Sequence, residues 1–122
     1  MTEPLATTLR THLGGALRIE HVGLTVSLGG WVHKSRDLGG LVFIDLRDRE
    51  GLVQVSFNPE WTAADVIAAA AAVGTESAVL VQGIVAPRPD GLRNTDLPTG
   101  EIEVRATAIR VVGPAATPAI PV

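Results

Sequence analysis

The sequence contains no cysteine, which excludes disulfide bonds, zinc–thiolate sites and thiol catalysis. It also lacks any run of about 18 consecutive apolar residues, the length that a membrane-spanning helix requires. The first residues, "MTEP", show neither the basic segment nor the apolar stretch of a secretory signal peptide. We therefore expect a cytoplasmic protein. With 122 residues, of which 46% are hydrophobic, we expect one globular domain with a substantial core.

Positive charge is scarce, since 10 Lys and Arg against 13 Asp and Glu give a net charge of −3. Sequence-independent binding to nucleic acid needs a broad excess of basic residues, and the composition argues against it. Six basic residues nevertheless fall in two short segments, which allows a local positive potential on an acidic domain. Ordinary solvated surface charge explains them equally well. The six are Lys34, Arg36, Arg47, Arg49, Arg88 and Arg93.

Sequence signals of catalysis are also missing. The three histidines, at positions 12, 21 and 33, are far apart and show no metal-ligand spacing. The acidic residues of "DLRDRE", residues 45–50, alternate with arginine, as is typical of a solvated hairpin. There is no nucleophile elbow, phosphate-binding glycine loop or acid pair. We therefore expect no catalytic site, no metal and no cofactor in this chain.

What the sequence does contain is period-two alternation, most clearly in "GGLVFIDLRDREGLVQVSF", residues 39–57. Side chains on a strand point to opposite faces with a period of two. The segment therefore predicts two strands that are each buried on one face. They are joined by a tight turn at "DREG", where Gly51 suits a positive φ. The predicted core residues are Val42, Ile44, Leu46, Val53, Val55 and Phe57.

The rest of the chain supplies three further strands and a helix. The segment 24–35 predicts the first strand, with a bulge or sharp bend at Gly29–Gly30. That pair leaves the face of Trp31 undecided, although a core position is favoured. The alanine-rich run 62–73 predicts a helix that is capped by Asn58, with Pro59 at its first position. The apolar segment 77–87 and the alternating segment 101–112 predict the last two strands, joined by a polar loop.

Three strands, a helix and two strands in this order predict an all-β fold, the OB-fold, which is a five-stranded Greek-key barrel. An SH3-like barrel is the alternative, although it usually lacks the helix. The predicted boundaries are 1–23 for an N-terminal extension packing on the barrel and 24–112 for the barrel itself. Residues 113–122, which contain three prolines, predict a linker or hinge.

Phe43 is out of phase with the predicted core, and so is Gln54 on the neighbouring strand. An exposed aromatic ring can stack on a nucleobase, and a glutamine can donate to and accept from a base edge. Arg36 and the outward-facing Glu103 could reach the same face. A small apolar cluster under a loop would explain Phe43 as well, and the alternation does not choose between these two interpretations.

The segment "GWVHKSRDLGGLVFIDLRDREGLVQVSFNPE" closely resembles the N-terminal anticodon-binding domain of bacterial-type aspartyl-tRNA synthetase. The segments "RTHLGGALRIEHVG" before it and "LPTGEIEV" after it resemble the same family, so the resemblance covers about residues 9–121. It implies that Phe43 stacks on the central anticodon uracil. It also implies that Gln54 and Arg36 bond base edges nearby, and that Glu103 faces the wobble guanine or its modified form.

The resemblance assigns further RNA contacts to the flanks of this face. It implies that Arg88 and Asn94, in the loop between strands four and five, contact the anticodon loop. Family members commonly have three basic residues where this chain has Lys34, Ser35 and Arg36. Lys34 is therefore an expected RNA-binding residue, and one backbone contact is expected to be weaker.

The function implied by the resemblance is recognition of aspartate tRNA. ATP- and Mg-dependent aspartylation would then take place in a catalytic domain of the parent ligase that this chain does not contain. The full-length protein would be a homodimer and the isolated domain a monomer. Two alternatives remain open at this stage: a stand-alone interaction or scaffold module without RNA function, and a generic single-strand binder, which the net charge disfavours.

Overall fold

The computed structural model describes residues 11–89 and 91–113. The elements are β1 (Thr25–Asp37), β2 (Val42–Asp48), β3 (Gly51–Phe57), α1 (Ala64–Ala72), β4 (Ala78–Pro87) and β5 (Ile102–Gly113). The five strands form a closed β-barrel with the order β1-β2-β3-β5-β4, and two short 3-10 turns, Gly14–Ala16 and Ile19–His21, precede it. The predicted OB-fold is therefore confirmed, with its helix between the third and fourth strands.

Strand β1 closes one side of the barrel because it pairs with two neighbours in succession. Its residues 25–31 pair antiparallel with β4, and its residues 31–37 pair antiparallel with β2. On the other side, β3 pairs with β5 in parallel, at Val55 with Val104 and at Ser56 with Arg105. The hairpin between β2 and β3 turns at Gly51, whose φ of 128° confirms the predicted turn.

The core lies inside the barrel, and all six residues that the alternation places there are at most 1% exposed. Helix α1 covers one end of the barrel, where Ala70 is buried and Val66 and Ile67 pack against the core. Leu17, which follows the first 3-10 turn, joins the same core, and the backbone N–H of Gly15 donates to the Asp48 carboxylate. Residues 1–10 of the predicted extension and 114–122 of the predicted hinge lie outside the described residues.

The bulge predicted at Gly29–Gly30 and the favoured core position of Trp31 are both wrong. The pairing of β1 with β4 is regular through Gly29 and Gly30, and the bulge lies instead between Val32 and Lys34. Because the alternation continues unbroken to Val32, Trp31 points outward, and it is 49% exposed rather than part of the core. Gly30 instead allows β1 and β2 to approach each other closely, because a Cβ on Gly30 would clash with the carbonyl oxygen of Arg47 on β2.

We expect Gly30→Ala to destabilise the domain by about 1–3 kcal/mol, because the clash is with backbone that cannot move aside cheaply. Gly74→Ala is the matched control, since a Cβ there would meet only the Ser77 hydroxyl, at 3.9 Å. Urea denaturation of both variants measures the difference. Equal stability of the two would show that β1 and β2 are less closely packed at Gly30 than the structure indicates.

The helix begins later than the sequence predicts, at Ala64 rather than after Asn58. Asn58 instead organises a turn, in which its side-chain oxygen accepts from the N–H of Glu60 at 2.9 Å. The hydroxyl of Thr62 accepts from the N–H of Asn58 and donates to the carbonyl of Ala106 on β5, at 2.6 Å. This contact with β5 fixes residues 58–62 as a turn.

None of the helices within residues 11–89 and 91–113 has the length and the apolar character that a membrane span requires.

Candidate nucleic-acid interface

Phe43 stands at the centre of the outer face that β1, β2, β3 and β5 form. Its register partners are Arg36 on β1 and Ser56 on β3, and Ser56 in turn pairs with Arg105 on β5. The neighbours of Phe43 in sequence, Val42 and Ile44, point into the core, so its half-buried ring is on the outside. The out-of-phase phenylalanine therefore lies in a row of polar side chains that crosses four strands.

A continuous chain of hydrogen bonds runs beside this ring. Arg36 forms a salt bridge with Asp45, at 3.2 Å, and also donates to Gln54 Oε1 at 3.4 Å. Gln54 Nε2 donates to Glu103 Oε1 at 3.2 Å, and Arg105 Nε donates to Glu103 Oε2 at 3.4 Å. The structure thus brings together the predicted residues Arg36, Phe43, Gln54 and Glu103.

This chain fixes the orientation of the Gln54 amide. A guanidinium can only donate and an ionised carboxylate can only accept, so the amide oxygen must face Arg36 and the amide nitrogen must face Glu103. Each amide atom still has one unused hydrogen-bonding position. Gln54 can therefore present a donor and an acceptor in fixed positions to a ligand on this face.

The charge on this face differs from that of the whole domain. Arg36, Arg88 and Arg105 lie close to two carboxylates, those of Asp45 and Glu103. Three positive charges against two negative ones leave a small local excess of positive charge on a domain whose net charge is −3. This arrangement suits a polyanion that is held at one place rather than along a broad surface.

Two open cavities flank the Phe43 ring. The larger, of about 260 Å³, is lined by Arg36, Leu38, Phe43, Gln54 and Leu92. The smaller, of about 100 Å³, shares Phe43, Gln54 and Leu92 and also contacts Ser56, Trp61 and Glu103. Another cavity, of about 370 Å³, lies elsewhere, beside Trp31, and holds none of the predicted binding residues.

Glu103 and Arg88 are more buried than the sequence suggests. Glu103 is on the outer face, as predicted, but neighbouring side chains cover it and leave it only 4% exposed. Arg88 is 7% exposed and donates from Nε to the carbonyl of Ile102 at 2.9 Å. Burial lowers the pKa of Arg88, while the carboxylates of Asp45 and Glu103 oppose that shift. Arg88 therefore anchors the start of the β4–β5 loop.

The last two predicted residues are exposed. Lys34 lies on β1 opposite Asp45, next to the hydrogen-bond chain. Asn94 lies in the β4–β5 loop, where its side-chain oxygen accepts from the N–H of Asp96 at 2.9 Å. Their RNA contacts remain predictions. No group of three or more His, Asp or Glu in the described part of the chain is placed to hold a metal ion.

Sequence reasoning missed Trp61, Arg105 and Leu92. Arg105 shares the strand face of Glu103, so period-two alternation places it there, and its guanidinium carbon lies 4.3 Å from the centre of the Trp61 ring. The sequence did not mark Trp61 as a site residue, because the predicted helix begins before residue 61. Leu92 is 64% exposed and lines both cavities, and no sequence pattern marks a leucine in a polar loop.

Fold and face together define a class of protein. OB-fold barrels bind oligonucleotides on the face of their second and third strands, between the β1–β2 and β4–β5 loops. Phe43 and Gln54 lie on these two strands, and Leu38 and Leu92 lie in these two loops. The structure is therefore that of a nucleic-acid-binding OB-fold domain. Residues 26–112 match the model of the tRNA anticodon family, described as an OB-fold nucleic acid binding domain, and the chain belongs to this family.

Individual relatives agree with this assignment. An aspartate–tRNA(Asp/Asn) ligase of Rubrobacter xylanophilus is 51% identical over 109 residues, which are 89% of this chain and 18% of that protein. The asparaginyl-tRNA synthetase structure from Pyrococcus horikoshii is 27% identical with a TM-score of 0.71, over 90% of this chain and 24% of that one. The aspartyl tRNA synthetase structure from Entamoeba histolytica has a TM-score of 0.80 over 96% of this chain and 24% of its own, and its 23% identity shows the fold alone.

The resemblance to the anticodon-binding domain of aspartyl-tRNA synthetases is therefore confirmed. The chain spans about a fifth of the length of the curated relatives that it matches, with 18% of the Rubrobacter protein covered.

Proposed function

We propose that this domain recognises the anticodon of aspartate tRNA, with the central uracil stacked on Phe43. The observation that carries the proposal is the fixed Arg36–Gln54–Glu103 chain beside an outward-facing aromatic ring with an open cavity on either side. A ring accepts any base, whereas groups that bond a base edge select one. The site combines a ring for stacking with groups that can bond a base edge.

The hydrogen-bonding pattern favours uracil over cytosine at the centre. The free N–H of the Gln54 amide and the Arg36 guanidinium are donors, and uracil presents its O4 carbonyl to them as an acceptor. Cytosine has an amino group at that position, which would set donor against donor at both of these groups and leave only the free position of the Gln54 amide oxygen to accept from it. We assign the larger cavity, which Arg36, Phe43 and Gln54 line together, to this central base.

In the parent protein, the domain would position tRNA for aspartylation in a catalytic domain outside this chain. The relatives named as aspartate–tRNA ligases support this role. ATP and Mg²⁺ would belong to that catalytic domain, the full-length protein would be a homodimer, and the setting would be the cytoplasm. Lys34, Arg88 and Asn94 would assist at the backbone of the anticodon loop.

Fluorescence anisotropy with a labelled aspartate anticodon stem-loop tests the proposal. We expect a Kd on the order of micromolar or weaker, because so small a basic surface contacts few phosphates. Replacing the central uracil by cytosine should weaken binding about 5- to 150-fold, the range for one specifically bonded base. Equal binding of both loops would refute anticodon reading.

Gln54→Ala should remove most of this discrimination while binding of the cytosine loop changes little, because the stacking surface remains. Gln82→Ala is the matched control, since Gln82 is also half-buried but lies on β4 and lines neither cavity. The measurement is the ratio of the two Kd values for each variant. An unchanged ratio in Gln54→Ala would assign the base edge to another residue.

A further inference from the structure

The cavity beside Trp31 is larger than the two cavities at Phe43, and the proposed anticodon site does not use it. It measures about 370 Å³ and is lined mainly by glycines and apolar side chains, among them Gly29, Leu80 and Val112. We propose that residues 114–122, the proline-rich segment directly after β5, dock in this cavity as a strap instead of forming a free hinge. The docking concerns this face alone, so it does not depend on the anticodon proposal.

Small residues on the outer face of β1 and β4 make room for this cavity. Gly29 and Trp31 point to the same side of β1, and their register partners on β4 are Leu80 and Ala78. Gly29 has no side chain and Ala78 has only a methyl group, so space is left between the larger side chains. Trp31 is 49% exposed, and Val112 on β5 is 52% exposed. Such an apolar face gains free energy when an apolar segment removes it from water.

The end of β5 brings the proposed strap to the edge of the cavity. Val112 lines the cavity, and Gly113 pairs with Ala78, which also lines it. A polyproline II chain advances about 3.1 Å per residue, so residues 114–122 can span about 28 Å, more than a cavity of this size requires. Because the segment is tethered beside the cavity, its effective concentration there is on the order of millimolar. Contacts with a Kd below that value are enough to keep it docked.

The composition of the segment suits an aromatic, apolar cavity. Residues 114–122, "PAATPAIPV", contain three prolines and the apolar residues Ile120 and Val122, and they include no charged side chain. Proline-rich segments favour the polyproline II conformation, and they bind aromatic-lined grooves at a low entropic cost. Trp31 supplies the aromatic wall of this cavity.

The ionisable residues of the cavity, Asp48 and Arg49, are compatible with an uncharged segment. The Asp48 carboxylate already accepts from the backbone N–H groups of Gly15 and Glu50. Arg49 is exposed and can donate to carbonyl groups, which a polyproline II chain leaves without internal partners. An apolar segment with free carbonyl groups therefore matches both the apolar surface and the Arg49 donor.

Docking would fix the direction in which the chain leaves the barrel. None of the described residues that line this cavity also lines the two cavities at Phe43, so the strap and an RNA ligand would not compete. The curated relatives are much longer than this chain, with 18% of the Rubrobacter protein covered. In a parent protein of that kind, a docked strap would hold the anticodon-binding face at a constant angle to the polypeptide that follows.

NMR spectroscopy of the 122-residue chain tests the docking. The heteronuclear NOE of a backbone amide reports motion on the picosecond-to-nanosecond timescale. We expect the values for Ala119 and Ile120 to match those of β5, and we expect NOE cross-peaks between the Ile120 methyl groups and the Trp31 ring. Trp31→Ala should lower the heteronuclear NOE of both residues, whereas Trp31→Phe, which keeps an aromatic ring, should retain it.

Trp61→Ala is the matched control, since Trp61 is the other tryptophan of the chain and does not line this cavity. It should leave the order of the segment unchanged, and the barrel signals in the same spectra show whether each variant is folded. Low heteronuclear NOE values at Ala119 and Ile120 in the unmutated chain would overturn the proposal and leave a free hinge. Order that persists in Trp31→Ala would also overturn it, because the segment would then dock elsewhere.

A second copy of the chain is the competing occupant of the cavity. In that case the indole signal of Trp31 would shift with protein concentration, and this result would overturn docking of the strap. Neither measurement involves RNA, so failure of the aspartate stem-loop to bind would refute the anticodon proposal and leave the strap intact.

Discussion

Ile44→Ala is expected to lower the free energy of unfolding by about 2–5 kcal/mol, the cost of truncating a fully buried aliphatic side chain. Ile44 is 0% exposed and pairs with Val55 across the β2–β3 hairpin, inside the hydrophobic core. The loss includes both the transfer free energy of the removed atoms and the cavity that the closed barrel cannot fill. Urea denaturation, followed by circular dichroism, measures it.

The control for this experiment is Leu38→Ala, in the loop between β1 and β2. Leu38 is 59% exposed, so its truncation should change stability by no more than about 0.5 kcal/mol. A loss below 1 kcal/mol for Ile44→Ala would mean that the register of β2 is one residue off. The binding face and the core face would then exchange places.

Phe43→Ala is expected to leave the fold in place and to weaken RNA binding. The ring is half-buried on the outer face, with the Arg36 guanidinium 5.8 Å from its centre, and it contributes nothing to the barrel core. Binding of the aspartate stem-loop should weaken by about 1–3 kcal/mol, the range for one lost base stack. Anisotropy titration and a thermal melt of the same sample measure the two effects.

Phe43→Tyr is the matched control, because it keeps the aromatic face and should retain binding. Suppose instead that Phe43→Ala unfolds the domain and that the wild type binds uracil and cytosine loops equally. Phe43 would then be a structural residue, and a scaffold module without RNA function would be the better description.

The electrostatics of the face explain why specificity would come from short-range contacts. The Arg36–Asp45 pair is partly exposed to solvent, and such a pair contributes little to stability. In the Arg105–Glu103 pair the arginine is partly exposed, whereas the glutamate is buried. Their value here is geometric, since they hold Gln54 and Trp61 in fixed positions. An acidic domain with few cations cannot rely on phosphate contacts alone, so correctly oriented base contacts have to supply the discrimination.

The strands and the orientation of their faces were predictable because period-two alternation is a local property of the chain. Residues that are two positions apart on a strand lie on the same face, and Val42, Ile44 and Leu46 are all buried as that rule requires. The same rule put Phe43 and Gln54 outside. Trp31 was misassigned because the two glycines before it suggested a bulge that β1 does not have there.

The sequence by itself determined the barrel, its buried faces and the central pair on the outer face, because these depend on hydrophobic periodicity and turn chemistry within short segments. Only the tertiary structure decided which distant side chains meet there. Gln54 and Glu103 lie 49 positions apart yet share a hydrogen bond, because β3 and β5 pair in parallel when the barrel closes. The same closure buries Glu103 and brings Arg105 over Trp61. Contacts between segments so far apart follow from strand pairing across the whole sheet, and no local sequence pattern indicates that pairing.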